Sequence, residues 1–151
     1  MPSFETKRRV NHSPSNMFDL VADVEKYPLF VPLCENLVVR GRKMRPGGHE
    51  ILVADMTVAY KVFRETFTTK VVLDRDNLEI LVEYLDGPVS ELENRWTFVK
   101  GENGTSDVLF HLDYEFKSRA FAALMGTVFD RAFRRFAEAF EQRADKIYAP
   151  S

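Results

Sequence analysis

Residues 119–148 read RAFAALMGTVFDRAFRRFAEAFEQRADKIY and form the longest regular pattern in the chain. Their apolar side chains recur every three or four residues, which is the spacing of one face of an α-helix. Such a helix would be roughly 40–45 Å long at 1.5 Å per residue. The apolar stripe runs through Phe121, Leu124, Met125, Val128, Phe129, Ala132, Phe133, Phe136, Phe140, Ala144 and Ile147. A stripe of this length is not stable in water, so we expect another part of the chain to cover it.

The chain ahead of this helix reads as a series of strands separated by turn residues. Ser13 followed by Pro14 is typical of a helix start, which places a short helix after the first strand. A further helical turn is expected at residues 24–27. The strands are predicted at residues 4–10, 36–44, 50–59, 63–73, 78–85, 90–100 and 107–116. Consecutive strands joined by short turns pair antiparallel.

These elements predict an α+β fold of the helix-grip type. A curved seven-stranded antiparallel sheet wraps around the long C-terminal helix, and short helices lie between strands 1 and 2. The last strand alternates cleanly between apolar and polar residues, so one face of the sheet lies on the core and the other in water. We expect a single domain over residues 1–151.

Composition argues against several classes of protein. A net charge of −2 and a pI near 5.9 give no overall attraction to nucleic acid or to anionic membranes. Cys34 is the only cysteine, so no disulfide can form within the chain and a reducing compartment is expected. No segment approaches the ~18 apolar residues of a membrane span. The N-terminus lacks the apolar core of a signal peptide. We therefore expect a soluble, cytoplasmic protein.

A single helix is too narrow to fill a curved seven-stranded sheet, so the sequence predicts an apolar cavity between the two. Such cavities are the usual form of a small-molecule site. The expected ligand-binding residues are Phe30, Phe67, Val82, Asn94, Trp96, Phe116, Leu124, Val128 and Phe129. Phe136 lies nearer the C-terminal end of the helix, where we expect solid core rather than cavity.

Two polar residues share inward-facing positions with aromatic neighbours. Asn94 lies on the face of Trp96 and either satisfies nearby backbone groups or donates to a carbonyl of a ligand. Glu65 lies on the face of Phe67, where a buried carboxylate would need a partner such as Arg64 or Arg95. Neither residue is expected to be catalytic.

The segment YPLFVPLC, residues 27–34, is uncharged throughout. It is either a lid of core residues between helix and strand, or an apolar rim at the mouth of a pocket that contacts a membrane. On the second interpretation the portal residues are Tyr27, Pro28, Leu29, Val31 and Leu33. The cations Arg131, Arg134 and Arg135 on the outer face of the long helix are either a solvated surface or a contact for anionic lipid or ribosomal RNA.

Motifs for catalysis or metal binding are not found in the sequence. His12, His49 and His111 are far apart and lack ligands at metal-binding spacing, so no metal site is expected. There is no nucleophile elbow, phosphate loop or dinucleotide-binding glycine pattern. The apolar run around Cys34 should raise its thiol pKa, so a reactive thiolate is not expected. We therefore expect a binding protein without a catalytic cofactor rather than an enzyme.

Several blocks of sequence resemble the START-like polyketide cyclase/dehydrase superfamily and, within it, the coenzyme Q-binding proteins. The blocks are YPLFVP at residues 27–32, FRETFTTKV at 63–71, DGP at 86–88, LENRWTF at 92–98, LDYEFKS at 112–118 and FEQRA at 140–144. They span nearly the whole chain in the order of the family. One departure is Leu33, where many members carry an aromatic residue.

This resemblance implies binding of a lipophilic isoprenoid quinone (ubiquinone) by a carrier or chaperone that supports respiratory electron transport or quinone biosynthesis. It also implies a location in the cytoplasm, peripheral on the inner face of the membrane, or in the mitochondrial matrix of a eukaryote. Two alternatives stay open. One is a polyketide cyclase or aromatase, which would need acid and base groups in the pocket. The other is a toxin that blocks ribosomal subunit association, which a pI near 5.9 supports poorly.

Overall fold

The computed structural model describes residues 3–148. The strands are β1 Ser3–Val10, β2 Cys34–Met44, β3 His49–Tyr60, β4 Phe63–Asp74, β5 Glu79–Asp86, β6 Val89–Lys100 and β7 Ser106–Phe116. The helices are α1 Pro14–Ala22, a 3₁₀ helix Val24–Leu29 and α2 Arg119–Ile147. Each strand that the sequence predicts is present, with its ends shifted by at most two residues.

The strands form one antiparallel sheet in the order β1-β7-β6-β5-β4-β3-β2. Strands β2 to β7 follow one another as hairpins, and β1 pairs with β7, so β1 and β2 are the edges. Register shifts interrupt the pairing between Val39 and Gly41, between Thr68 and Thr69, and between Val89 and Glu91. Bulges of this kind bend strands and increase their twist. The predicted α+β fold with a curved seven-stranded sheet is confirmed.

Helix α2 packs on the concave face of the sheet. Its N-terminus is capped by Ser118, whose hydroxyl accepts a hydrogen bond from the backbone N–H of Phe121. The buried residues of the helix are Met125, Phe129, Ala132, Phe133, Ala137, Phe140 and Ala144. Two members of the predicted stripe are exposed, because Ile147 is the last residue of the helix and Leu124 lies outside the buried arc. At 3.6 residues per turn, Leu124 is about 140° around the helix from Phe129.

An ion pair and a hydrogen bond fasten the C-terminal half of α2 to the start of the chain. Arg8 on β1 pairs with Glu141 at 2.6 Å, and Nε2 of His12 lies at hydrogen-bond distance, 2.7 Å, from Oδ1 of Asp145. The His12 side chain is buried, whereas Asp145 is largely exposed. These contacts fix the helix at the side of the sheet where α1 also packs.

Strand β3 connects two opposite ends of the molecule. At one end, the Gly47 end, the turn between β2 and β3 projects. At the other, the Tyr60 end, the turn between β3 and β4 meets the start of α2, and the rings of Phe63 and Phe121 lie 6.4 Å apart. Twelve residues of extended strand separate the ends, a length of roughly 35–40 Å.

Candidate ligand cavity

A cavity of about 90 Å³ lies between α2 and the concave face of the sheet. Its walls come from strands β2 to β7, from α2 and from the segment between Val24 and Leu33. Thr69 and Asn94 are the polar residues among the lining side chains, apart from the hydroxyl of Tyr27 and the indole N–H of Trp96. The remaining wall is aliphatic or aromatic, so the cavity suits an apolar ligand with few hydrogen-bonding groups.

Five of the predicted ligand-binding residues line this cavity, namely Phe67, Val82, Asn94, Trp96 and Phe129. Alternation along β4, β5 and β6 places the first four on the concave face, and Phe129 faces them from α2. The structure brings these side chains together, and their role in binding stays a prediction.

The four other predicted ligand-binding residues do not line this cavity, so the lining position expected for Phe116, Leu124 and Val128 is wrong. Leu124 is 63% exposed on the outer side of α2. Val128 packs beside the core from the flank of the helix. Phe116 stacks on the far side of Phe129 at 5.6 Å, towards the Tyr60 end. Phe30 packs edge-on against the lining residue Phe140 at 5.0 Å and does not itself line the cavity.

Phe136 was expected in solid core, but the structure places it at the cavity. The residue is half-buried and lines the wall, with its ring edge-on to that of Phe133 at 5.4 Å. The cavity therefore extends further along α2 than the sequence predicts, and the small side chain of Ala132 one turn earlier lines the same wall.

Thr69 is the lining residue with a polar side chain that sequence analysis missed. It follows Phe67 and precedes Val71 in the alternation of β4, and both of those residues are buried and line the cavity. The signal was therefore present in the period-two pattern of the strand. A threonine hydroxyl both donates and accepts hydrogen bonds.

Asn94 is held by two hydrogen bonds within the sheet. Its Nδ2 donates to the backbone carbonyl of His111 at 2.9 Å, and its Oδ1 accepts from Nε1 of Trp96 at 2.8 Å. The side chain therefore satisfies a backbone group, which was one of the two interpretations of this residue. An amide nitrogen carries two hydrogens, so these bonds leave one N–H of Asn94, a cavity-lining residue, for a further acceptor.

Glu65 has neither of the partners that the sequence suggested. Arg64 instead pairs with Glu35, Nε to Oε2 at 2.7 Å, and Arg95 pairs with Glu93 at 3.3 Å. The prediction fails because neighbours along one strand point to opposite faces, and the side chain of Arg64 extends to β2. Glu65 does not line the cavity.

Burial suppresses ionisation at the mouth of the cavity. Desolvation raises the pKa of the Tyr27 hydroxyl, which donates a hydrogen bond to the backbone carbonyl of Val21. Desolvation also raises the pKa of the Cys34 thiol to about 11, against a weaker opposing effect of the hydrogen bond to Asn36. Both groups are therefore neutral near pH 7. Within residues 3–148, no group of three His, Cys, Asp or Glu side chains is placed to hold a metal ion.

The segment from Tyr27 to Leu33 closes one side of the cavity without forming part of the sheet. Tyr27, Val31 and Leu33 line the cavity, whereas Pro28 and Leu29 do not, and Leu29 is 65% exposed. The 3₁₀ helix leaves Leu29 exposed, as a rim residue would be, and the portal formed by the five residues stays a prediction.

Aromatic contacts hold this segment against α2. The rings of Tyr27 and Phe30 meet Phe140 edge-on at 5.2 and 5.0 Å, and the guanidinium of Arg143 lies 5.5 Å from the ring of Phe30. Leu33 adopts a φ of 65°, the left-handed region that costs a leucine about 1–3 kcal/mol. Its carbonyl accepts a hydrogen bond from Ala59, which anchors the segment at the Tyr60 end.

The part of the chain that the structure describes contains no helix both long and apolar enough to cross a bilayer. Apolar side chains are nevertheless exposed at the Tyr60 end, where Val62 at the β3–β4 turn is 93% exposed. Leu124 near the start of α2 is exposed at the same end.

Comparison with known proteins assigns the fold and cavity to a family. The sequence pattern of the family described as polyketide cyclase / dehydrase and lipid transport matches residues 10–141. The chain belongs to this family. A START superfamily protein from Mycobacterium smegmatis has the same fold, with a TM-score of 0.79 at 18% identity, over 98% of that chain and 96% of this one.

Two relatives of the chain are named for different functions. The ribosome association toxin RatA of Escherichia coli is 32% identical over 149 residues, which cover 99% of this chain and 90% of the relative. The mitochondrial coenzyme Q-binding protein COQ10 of Dictyostelium discoideum is 26% identical over 149 residues, which cover 97% of this chain and 71% of the relative. The family and its relatives support a lipid-binding START-like protein. The family includes cyclases as well as binding proteins, so membership alone does not separate catalysis from transport.

Proposed function

We propose that this protein binds a lipophilic isoprenoid quinone of the ubiquinone type in the cavity between α2 and the sheet. It acts as a carrier or chaperone that supports respiratory electron transport or quinone biosynthesis. The observation that carries the proposal is the lining itself, an apolar wall interrupted at Thr69 and Asn94. A quinone ring needs such a wall, with a donor for each of its few carbonyl acceptors.

The hydrogen bonds of Asn94 orient it for this role. Hydrogen bonds to Trp96 and to the carbonyl of His111 hold the Asn94 amide in place, and its second N–H is therefore held in one orientation. A donor that is already oriented loses little conformational entropy when it binds a carbonyl. The lining includes no Asp, Glu, His, Lys or Arg among the described residues. A cyclase would need such groups for proton transfer, so the wall favours binding over catalysis.

Entry of the ring requires the cavity to enlarge. Its volume of about 90 Å³ is well below the roughly 300–1,000 Å³ typical of ligand pockets. The segment from Tyr27 to Leu33 lines the wall from outside the sheet and outside α2, so it can move without breaking strand pairs or the long helix. In this proposal the ring enters beside that segment and the isoprenoid tail leaves towards the Tyr60 end, where apolar side chains are exposed. A quinone remains in the bilayer, so peripheral membrane contact at this end completes the proposal.

Purification from the native host and analysis of the extracted lipid test this proposal directly. We expect an isoprenoid quinone to co-purify with the protein. Trp96→Ala should lower the amount of bound quinone, whereas Arg135→Ala, an exposed cation on the outer face of α2, should not. Equal retention by the two variants, or no quinone with the parent protein, would contradict the assignment.

A fluorescence titration separates the contribution of the Asn94 hydrogen bond to quinone affinity from that of the apolar wall. Trp96 is the only tryptophan, so a short-tailed ubiquinone bound beside it should quench the intrinsic fluorescence. Asn94→Leu should weaken binding by roughly tenfold, as expected for one lost hydrogen bond of about 1–1.5 kcal/mol. Unchanged affinity in that variant would exclude Asn94 as the carbonyl donor.

Ribosome association is the second candidate function. It is supported by RatA, which matches 99% of this chain at 32% identity. Co-sedimentation of the purified protein with bacterial ribosomal subunits in a sucrose gradient tests it. Failure of the protein to migrate with either subunit would exclude this candidate.

A further inference from the structure

The turn between β2 and β3 carries a concentration of positive charge. We call residues 40–48, RGRKMRPGG, the cationic arm; every one of them is exposed. Between Glu35 and Glu50 the chain has four cations and no acidic residue, although its overall charge is −2. The arm is therefore strongly positive on an otherwise slightly negative protein.

Half of the charges on the arm are free of carboxylates. Arg40 lies 3.7 Å from Asp55, and Arg42 pairs with Glu25 at 2.9 Å. By contrast, within residues 3–148 Lys43 and Arg45 have no acidic group at ion-pair distance. The available positive charge is therefore concentrated at the outer part of the arm.

Geometry restricts the side from which a ligand can approach. Gly47 and Gly48 both adopt positive φ, 90° and 82°, which makes the tip narrow. Asp76 lies beside Gly48 and would repel an anion there. A negatively charged partner therefore meets the arm through Lys43 and Arg45 rather than through the glycine turn.

The arm lies at the Gly47 end, roughly 35–40 Å along β3 from the Tyr60 end. The exposed apolar residues Val62 and Leu124 lie at the Tyr60 end, whereas the arm exposes only Met44 and Pro46 among cations and glycines. Interfacial membrane binding needs apolar side chains beside the cations. The arm is therefore poorly suited to a bilayer, and it cannot touch a flat membrane that the opposite end contacts.

We propose that the cationic arm binds the phosphate backbone of RNA. The guanidinium of Arg45 can grip a phosphate through two parallel hydrogen bonds, and Lys43 adds a point charge to a neighbouring phosphate. Binding of this kind is independent of base sequence and depends steeply on salt. This proposal extends the second candidate function, ribosome association. It rests on that function only for identifying the RNA as ribosomal.

Fluorescence anisotropy with a short, fluorescein-labelled RNA stem-loop tests the arm. The Lys43→Glu/Arg45→Glu variant should weaken binding by roughly tenfold or more, since two phosphate contacts are lost, and should flatten the dependence of log K on log salt. The matched control is Arg131→Glu/Arg135→Glu, which changes the net charge equally at exposed positions of α2. This control should keep most of the affinity. Circular dichroism of each variant confirms that its fold is retained.

Three results would overturn the proposal. These are no RNA binding by the parent protein, equal losses in the two variants, or a loss confined to the α2 variant. Binding to phosphatidylcholine/phosphatidylglycerol vesicles that depends on the arm, without RNA binding, would identify the arm as a lipid contact and also overturn it. Sedimentation with ribosomal subunits is measured separately. A protein that binds the stem-loop through the arm but does not sediment with subunits refutes ribosome association and leaves RNA binding by the arm intact.

Discussion

Phe140 lies where the segment from Tyr27 to Leu33, here called the portal segment, meets the sheet and α2. Its ring is 2% exposed and lies 4.9 Å from Trp96, 5.0 Å from Phe30 and 5.2 Å from Tyr27. Phe140→Ala removes this ring from a site that the neighbouring sheet and helix backbones prevent from collapsing. The lost transfer free energy is about 1.5–3 kcal/mol, and the remaining cavity raises the total to about 3–5 kcal/mol.

Phe136 provides a matched comparison one turn earlier on the same helix. Both rings line the cavity, but that of Phe136 is only half-buried, so Phe136→Ala removes fewer contacts. We expect this change to lower the free energy of unfolding by about 1–2 kcal/mol. Because the residue type and the helix are the same and both rings line the cavity, the expected difference follows from the deeper burial of Phe140.

Urea denaturation followed by circular dichroism measures both losses. The slope of the free energy of unfolding against urea concentration should stay constant, because a change of slope would indicate altered compactness instead. A loss below about 1 kcal/mol for Phe140→Ala would show that the portal segment does not close on α2 as described. Equal losses for the two variants would show that Phe136 is buried as deeply as Phe140, against the structure.

Three further predictions concern the surface and the helix start. The side chain of His111 lies between the carboxylates of Asp113 and Glu5. The hydrogen bond to Asp113, and after it the hydrogen bond to Glu5, raises the pKa of His111 in the folded state. The resulting stabilisation is complete below the unfolded-state pKa of about 6.5 and is lost as pH rises through the higher folded-state pKa. His111→Gln should therefore reduce the change of the urea midpoint between pH 6 and pH 8. The same pH dependence in the variant and the parent would contradict this prediction. Ser118→Ala should cost about 0.5–2 kcal/mol by removing the cap of α2, and a thermal melt that matches the parent would show that the cap contributes nothing. Leu29→Glu should reduce flotation of the protein with liposomes. The control variant Met44→Glu changes a residue of similar exposure at the Gly47 end and should float like the parent. Equal flotation of both variants would argue against membrane contact through the segment from Tyr27 to Leu33.

Periodicity predicted the fold well because each element has a strong local signal. The strand boundaries follow turn residues, and α2 follows its apolar spacing from Phe121 to Ala144. Leu124 shows the limit of that reasoning. A stripe read as spacings of three and four includes residues at its margin, and only the width of the sheet decides which of them are covered.

The cavity was predictable in its existence but less so in its outline. Asn94, Trp96 and Phe67 follow from strand alternation, which fixes the face of each residue. Phe30 and Phe116 could not be placed from the sequence, because a large ring near a cavity can point into it or pack behind it. That choice depends on neighbours distant in the chain, such as Phe140 for Phe30 and Phe129 for Phe116. The volume depends on the same long-range packing.

Cys34 follows the portal segment directly and is the first residue of β2. The residue is 7% exposed, and burial raises the pKa of its thiol to about 11, so the unreactive protonated thiol predominates at pH 8. If the segment swings away from α2, the sulfur meets water and its pKa returns towards about 8.5. The reactivity of the Cys34 thiol therefore reports how often the segment opens. Its rate of reaction with an aromatic disulfide reagent should fall when a ligand keeps the segment closed and rise when Phe140 is removed, without any engineered label.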